Sequence, residues 1–298
     1  MNQQEEHLPV LLDAVLLNLK PQSGETYLDV TAGYGGHAAA VLAATGAPQK
    51  AVLVDRDPEA ISMLKQRFGT SGTEIADSNY LAASERLKSE GRRFDLILGD
   101  LGVSSPHLDN ARRGFSLKNR GPLDMRMDQR QSISAEQIVN QASKEELEQI
   151  LRDYGEEPKA RRIAAEIAAA RPLKDTQQLA AIAAAAWPGK SRVHPATRVF
   201  QALRIAVNDE LGQLERALPV WLELLAPGGR LAVISFHSLE DRIVKRFMSD
   251  HAAGEYGREL KILTKKPITA TKDDVVFNPR ARSAKLRAAA KIKTKRKD

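Results

Sequence analysis

The sequence predicts an α/β fold in which a parallel sheet carries helices on its faces and an all-helical domain interrupts the chain. Two observations carry this expectation. Short apolar runs alternate with helical stretches at both ends of the 298 residues. Between them, from about Pro106 to Arg204, helical patterns follow one another without a convincing strand. The expected division is 1–105 and 206–298 for the two parts of the core, with 106–205 as the insert.

In chain order, Thr26–Val30, Ala51–Val54, Phe94–Gly99 and Leu231–Phe236 read as strands, and Thr73–Ala76 as a weaker one. Asp57-Pro58 supplies an N-cap and a first-turn proline for a helix bearing Ile61, Leu64 and Phe68 on one face. In the insert, Ser134 with Gln137 and Ser143 with Glu146 fit capping boxes. Glu156-Glu157-Pro158 opens a further helix with Ile163, Ala164 and Ile167 aligned, and an alanine-rich helix follows Asp175. A returning helix is expected over Val207–Leu225, then a Pro227-Gly228-Gly229 turn into the last strand.

Composition excludes several function classes. Without cysteine there is no disulfide framework, thiolate zinc site, iron–sulfur cluster or cysteine nucleophile. His7, His194 and His251 lack metal spacing and are expected to be structural, so no metal is expected. The start, MNQQEEHLPV, lacks the pattern of a secretory signal, and the longest apolar run, Leu179–Trp187, is too short to span a bilayer. A cytoplasmic chain with no membrane partner is expected, and nothing specifies a homo-oligomer. The net charge of +7 is concentrated: residues 279–298 hold nine basic side chains and one acid, leaving −1 for residues 1–278. Such a basic tail fits either a phosphate backbone or a solvated terminus.

The candidate site begins where Tyr27-Leu28-Asp29-Val30 runs into Thr31-Ala32-Gly33-Tyr34-Gly35-Gly36-His37-Ala38. Glycines let a ligand approach the backbone, and a helix start offers N–H donors. Gly33, Gly35 and Ala38 also fit the dinucleotide pattern G-x-G-x-x-A, with Asp55 about twenty residues on, suited to a ribose. At this point a nicotinamide cofactor and S-adenosylmethionine remain open. Asp100 ends a further strand at the edge where parallel sheets bind ligands. With the Pro-Gly-Gly turn, the ordering resembles the Rossmann-like class I S-adenosylmethionine-dependent methyltransferases.

Five longer motifs narrow the resemblance. They are Asp100–Pro106 (DLGVSSP), Gly121–Asp128 (GPLDMRMD), His194–Arg198 (HPATR), Ser235–Arg242 (SFHSLEDR) and Asn278–Ser283 (NPRARS). Together they resemble the bacterial ribosomal RNA small subunit methyltransferase H family, which methylates the exocyclic N4 of a cytosine in the decoding region of 16S ribosomal RNA. The resemblance implies a methyltransferase core with a helical insertion and a 16S ribosomal RNA partner within the small ribosomal subunit. It implies S-adenosylmethionine contacts at Gly35, Gly36, His37, Asp55, Tyr80, Asp100 and His107. The family often has Phe at Tyr80 and Gln at His107.

Cytosine N4 is a weak nucleophile because its lone pair is delocalised, so an acceptor beside its hydrogens assists attack. Asp100, Ser104 and His237 are the acceptors considered, with Ser104 and His237 taken as catalytic candidates. His237 has an equally good reading inside a turn, and Ser238 with Asp241 fits a capping box. Asp124, Arg126 and Asp128 fit an ion-pair turn, while Arg198 and Arg204 fit either RNA phosphate or Asp209 and Glu210. Methylation at cytosine C5 normally needs a cysteine thiolate, which this chain lacks. Two other classes are weighed, a non-catalytic RNA-binding assembly factor and an NAD(P)-dependent oxidoreductase.

Overall fold

Tyr27–Asp29 (β1), Ala51–Asp55 (β2), Glu74–Asp77 (β3) and Phe94–Asp100 (β4) run parallel, side by side, and each ends on an aspartate. This is a computed structural model, and it describes residues 9–103, 108–187, 194–253 and 258–292. Strands β1, β2 and β4 read as apolar runs because both of their faces are buried, whereas β3, Glu-Ile-Ala-Asp at the edge of the sheet, is only partly buried. Leu28, Val52, Val54 and Ile97 pack on one face, with Leu87, Trp221 and Val244. Tyr27, Leu53, Leu96 and Leu98 pack on the other, with Leu19, Val41 and Leu64.

Helices Leu12–Leu19 (α1), Gly36–Thr45 (α2), Pro58–Phe68 (α3) and Tyr80–Ser89 (α4) lie in this first part of the chain. Asp57 caps α3 as expected, its side chain accepting the Glu59 N–H. The sheet order is β3-β2-β1-β4, continued by Leu225–Ser235 (β5), Lys285–Lys291 (β8) and Leu260–Ile262 (β6), so the strand sequence reverses between β1 and β4. In open parallel sheets that reversal leaves a crevice at the carboxyl ends of the strands. Asp29 and Asp100 stand at its two lips.

Two core elements differ from expectation. The fifth strand, Leu225–Ser235 (β5), starts before the Pro-Gly-Gly segment, which forms an irregularity inside the strand rather than a turn ahead of it. A Cβ on Gly229 would come within 2.9 Å of the Ala226 carbonyl and 3.0 Å of the Phe94 carbonyl, so glycine permits the close pairing with β4. The basic C-terminal stretch also contributes a strand. Lys285–Lys291 (β8) pairs antiparallel with β5 and with the short strands Leu260–Ile262 (β6) and Ile268–Thr269 (β7). Residues 293–298 of the expected tail lie outside the described residues.

The chain divides into two compact units, Met1–Gly102 with Gly212–Asp298, and Val103–Leu211. In the second, helices Ala135–Gln141 (α5), Lys144–Asp153 (α6), Ala160–Ala169 (α7), Thr176–Ala185 (α8) and Ala196–Asn208 (α9) enclose their own core of Val139, Leu147, Leu151, Ile163, Leu179 and Leu203. Both serine capping boxes form, at Ser134 and Ser143, and Asp175 caps α8. The expected single helix over Val207–Leu225 is broken at Asp209, whose φ of 48° is left-handed. Helix Glu210–Leu224 (α10) begins immediately after it.

Candidate active site

The glycine loop is built by hydrogen bonds to the acids around it. Gly33 N–H donates to Asp55 Oδ2 at 2.8 Å, and Asp57 N–H donates to Asp55 Oδ1 at 2.8 Å. Asp55 thus ties β2 to the loop. Gly35 turns the chain into α2 at φ 78°, and a Cβ there would lie 2.4 Å from the Phe68 ring. A Cβ on Gly36 would lie 2.7 Å from Pro9. The opening N–H groups of α2, at Gly36, His37 and Ala38, have no intrahelical acceptor and are available to polar ligand atoms.

Below the loop is a knot of buried acids. Tyr27 O–H donates to Asp29 Oδ2 at 2.7 Å, and Thr31 N–H donates to Asp29 Oδ1 at 3.2 Å. Burial drives the Asp29 pKa up to about 7 despite those bonds. Asp100 N–H donates to Thr31 Oγ1 at 2.6 Å. The Asp100 carboxyl is also pushed well above the usual carboxylate range, by burial first and then by the negative charges of Asp29 and Glu240. Its Oδ1 is buried with no hydrogen-bond partner among the described residues. His37 stands against it, Nδ1 lying 3.5 Å from Asp100 Oδ2, while His37 Nε2 donates to the Val10 carbonyl at 3.0 Å. Burial lowers the His37 pKa to about 4, so the ring is neutral at physiological pH.

Tyr80 opens α4, with Asn79 capping that helix. Its ring meets the fully buried Trp221 edge-on, with centroids 5.6 Å apart. Trp221 Nε1–H donates to Ser84 Oγ, and Ser84 Oγ–H donates to the Tyr80 carbonyl, so the indole and the helix start are linked. His237 lies after β5 and caps Ser238–Ala252 (α11). Its Nδ1 accepts the Glu240 N–H at 3.4 Å, and Glu240 Oε2 accepts the Phe236 N–H at 2.8 Å. The capping box is therefore His237 with Glu240, not Ser238 with Asp241 as expected. Asp241 instead accepts from Arg287 at 2.6 and 3.2 Å and lies 3.5 Å from Lys285, fastening β8 to α11.

The structure thus joins Gly35, Gly36, His37, Asp55 and Asp100 at one sheet edge, with Tyr80 and His237 each opening a helix after a neighbouring strand. Ser104 and His107 lie outside the described residues. Tyr27 and Asp29 were not singled out as site residues. Their signal is an i, i+2 pair on one strand face, which leads directly into the glycine loop. In the helical unit the polar motifs pair internally. Arg126 donates to both oxygens of Asp124, Arg130 pairs with Asp128, and Arg204 is bidentate to Glu210 at 2.8 Å. His194 Nδ1 accepts the Ala196 N–H. No described helix is long and apolar enough to cross a membrane.

A family model described as the MraW methylase family matches residues 4–292. A ribosomal RNA small subunit methyltransferase H from Cyanothece sp. is 50% identical over 287 residues, covering 96% of this chain and 95% of its own. One of the same name from Heliobacterium modesticaldum is 47% identical over 309 residues, covering 96% and 99%. Among solved structures, an rRNA methylase from Streptococcus thermophilus aligns at 12% identity over 94% of this chain and 93% of that one. Its TM-score is 0.42, too low to carry an argument.

Proposed function

This chain belongs to the MraW methylase family, and from that premise we infer that it is an S-adenosylmethionine-dependent methyltransferase of small-subunit ribosomal RNA. The acceptor is the exocyclic N4 of a cytosine in the decoding region. The observation that carries the reading is the acid-ended sheet edge at the strand reversal, where a glycine loop, a helix start and Asp55 converge. The donor set fits the cofactor: a buried oxygen on Asp100 with no partner among the described residues, and ladder-free amides at Gly36–Ala38 beside the Asp55 carboxylate. Bound there, the cofactor supplies an electrophilic methyl group on a sulfonium centre.

We assign the chain's own residues as follows. Gly35, its own N–H donated to the Ala32 carbonyl, lets the cofactor approach the backbone, the N–H groups at Gly36 and His37 receive its amino-acid end, and Asp55 accepts from its ribose hydroxyls. Tyr80, backed by Trp221, presents an aromatic face to adenine. Asp100 lies beside the reacting centre, and His107 completes the contacts. Displacement at the methyl group asks the protein chiefly to hold donor and acceptor in line. Ser104 and His237 are the acceptors assigned to the N4 hydrogens. In its helix cap His237 Nδ1 accepts the Glu240 N–H, so the neutral ring holds its hydrogen on Nε2, and His237 acts as an acceptor only when Nδ1 leaves that cap. The assembled small subunit in the cytoplasm is the assigned setting for the RNA, and the core interrupted at 106–205 is the assigned domain plan.

The test is incubation with methyl-labelled S-adenosylmethionine and either small subunits or naked 16S RNA, followed by nucleoside analysis. Label in N4-methylcytidine is expected, with more from subunits than from naked RNA. No transfer to either substrate, while a control methyltransferase labels its own, would overturn the reading. Retained RNA binding without transfer would indicate a non-catalytic assembly factor.

A further inference from the structure

His37 and Asp100 meet in an arrangement that fixes a proton. The Val10 carbonyl can only accept, so the 3.0 Å contact places a hydrogen on His37 Nε2. In the neutral ring Nδ1 then carries a lone pair, and that lone pair faces Asp100 Oδ2 at 3.5 Å. Two acceptors face each other favourably only with a proton between them. Asp100 is the group able to supply it. The other ionisable groups acting on Asp100 give it no reason to ionise: Asp29 and Tyr27 on β1 and Glu240 on α11 are all acids. Its second oxygen, Oδ1, is buried with no partner among the described residues. An ionised Asp100 would be a negative charge in a pocket of acids, with no cation among these neighbours to offset it.

We propose that His37 and Asp100 form a proton-holding pair that lets the site distinguish the sulfonium cofactor from its neutral-sulfur product. The proposal rests on the cofactor reading above. In the free protein Asp100 keeps its proton, directed at His37 Nδ1. When the cationic cofactor docks at the sheet edge, Asp100 ionises, and the proton leaves to solvent. After methyl transfer the sulfur is neutral, the compensating charge is gone, and Asp100 takes a proton back from solvent. The same carboxyl thereby favours the substrate form of the cofactor and loosens the product form. His37 acts as a positioning residue, since its lone pair keeps the proton on Asp100 until the cation arrives.

The experiment is calorimetric titration of the full chain with S-adenosylmethionine and with S-adenosylhomocysteine, each in two buffers of different ionisation enthalpy. S-adenosylmethionine is expected to release about one proton more per site at pH 7 than S-adenosylhomocysteine. Its affinity is expected to rise from pH 6 to pH 8 by up to about tenfold per unit, with a flatter profile for the product. Asp100→Asn should flatten the S-adenosylmethionine profile and abolish the difference in proton release. Equal proton release by both ligands with the unaltered protein would overturn the proposal while leaving the cofactor reading intact. So would an Asp100→Asn variant that keeps the difference. Failure to bind either ligand would remove the cofactor reading, and this proposal with it.

Discussion

The carboxylates of the sheet edge and those of the helical unit's polar motifs, Asp124 and Asp175, are treated in opposite ways. In the helical unit they are matched with arginine. Burial pushes Asp124 up, but the hydrogen bonds from Arg126 more than offset it, and its pKa falls below the ordinary value. Asp175 is likewise lowered, by the Gln178 N–H and then by Arg120. At the sheet edge of the α/β unit, Asp29 is buried and Asp100 half-buried, neither is paired with a cation among the described residues, and both are raised. Asp241 of the same unit is instead lowered, its burial more than offset by Arg287. Paired carboxylates hold a fold together, whereas acids left without a cation at a sheet edge are candidates to meet a ligand. The difference sets the sheet edge apart from the ion pairs that serve the fold's own structure.

The largest expected effects come from the two cores. Trp221→Ala should cost about 3–5 kcal/mol of stability and Leu147→Ala about 2–5 kcal/mol, both measured by urea unfolding. Calorimetry should then separate the units. Trp221→Ala removes the wall behind Tyr80 and should weaken S-adenosylmethionine, while Leu147→Ala should leave its affinity within about twofold. A large loss of affinity in Leu147→Ala would break the comparison. Next, Asp55→Ala removes acceptors for two ribose hydroxyls and the tie to Gly33. About 100-fold weaker cofactor binding is expected, and unchanged affinity would refute the role.

Two Asp→Asn substitutions should then differ in sign. The raised pKa of Asp29 means that the stability gained from its proton is full below the unfolded value near 3.8 and is lost as pH rises through about 7. Asp29→Asn still accepts from Tyr27, so it should stabilise the protein by about 2 kcal/mol at pH 8 and by little at pH 4. The depressed pKa of Asp124 contributes stability above its unfolded value that is lost as pH falls through the folded one. Asp124→Asn should therefore destabilise by about 1 kcal/mol at pH 7. Denaturant midpoints at the two pH values provide the check, and the same sign for both variants would contradict the contrast. Smallest of all, Arg130→Ala should change stability by less than about 0.5 kcal/mol, because Arg130 is half exposed.

What was legible in the sequence follows from how local each signal is. Strands β1, β2 and β4 show as apolar runs because both faces are buried, the edge strand β3 shows more weakly because it is only partly buried, and Ser134, Ser143 and Asp175 announce their helices because a cap reaches only two or three residues. Asp55 and the glycine loop are legible for the same reason. Strand β8 is hidden because its KLRAAAK sequence favours helix, and only pairing with β5 and the Asp241–Arg287 link make it a strand. Of the basic residues after 279, those within β8 have partners that no local pattern shows. Lys285 and Arg287 serve Asp241, and Lys291 donates to the Leu222 and Leu225 carbonyls. The His37–Val10 and Tyr27–Asp29–Asp100 arrangement joins residues from separate elements, and no local pattern encodes it.

The central claim is that the cofactor occupies the acid-ended edge of the α/β unit, and hydrogen–deuterium exchange with and without S-adenosylmethionine tests it most directly. The account predicts protection over residues 31–38, around Asp55 and at 98–101, with 135–185 unchanged. Protection confined to 135–185, or none anywhere at saturating cofactor, would contradict it.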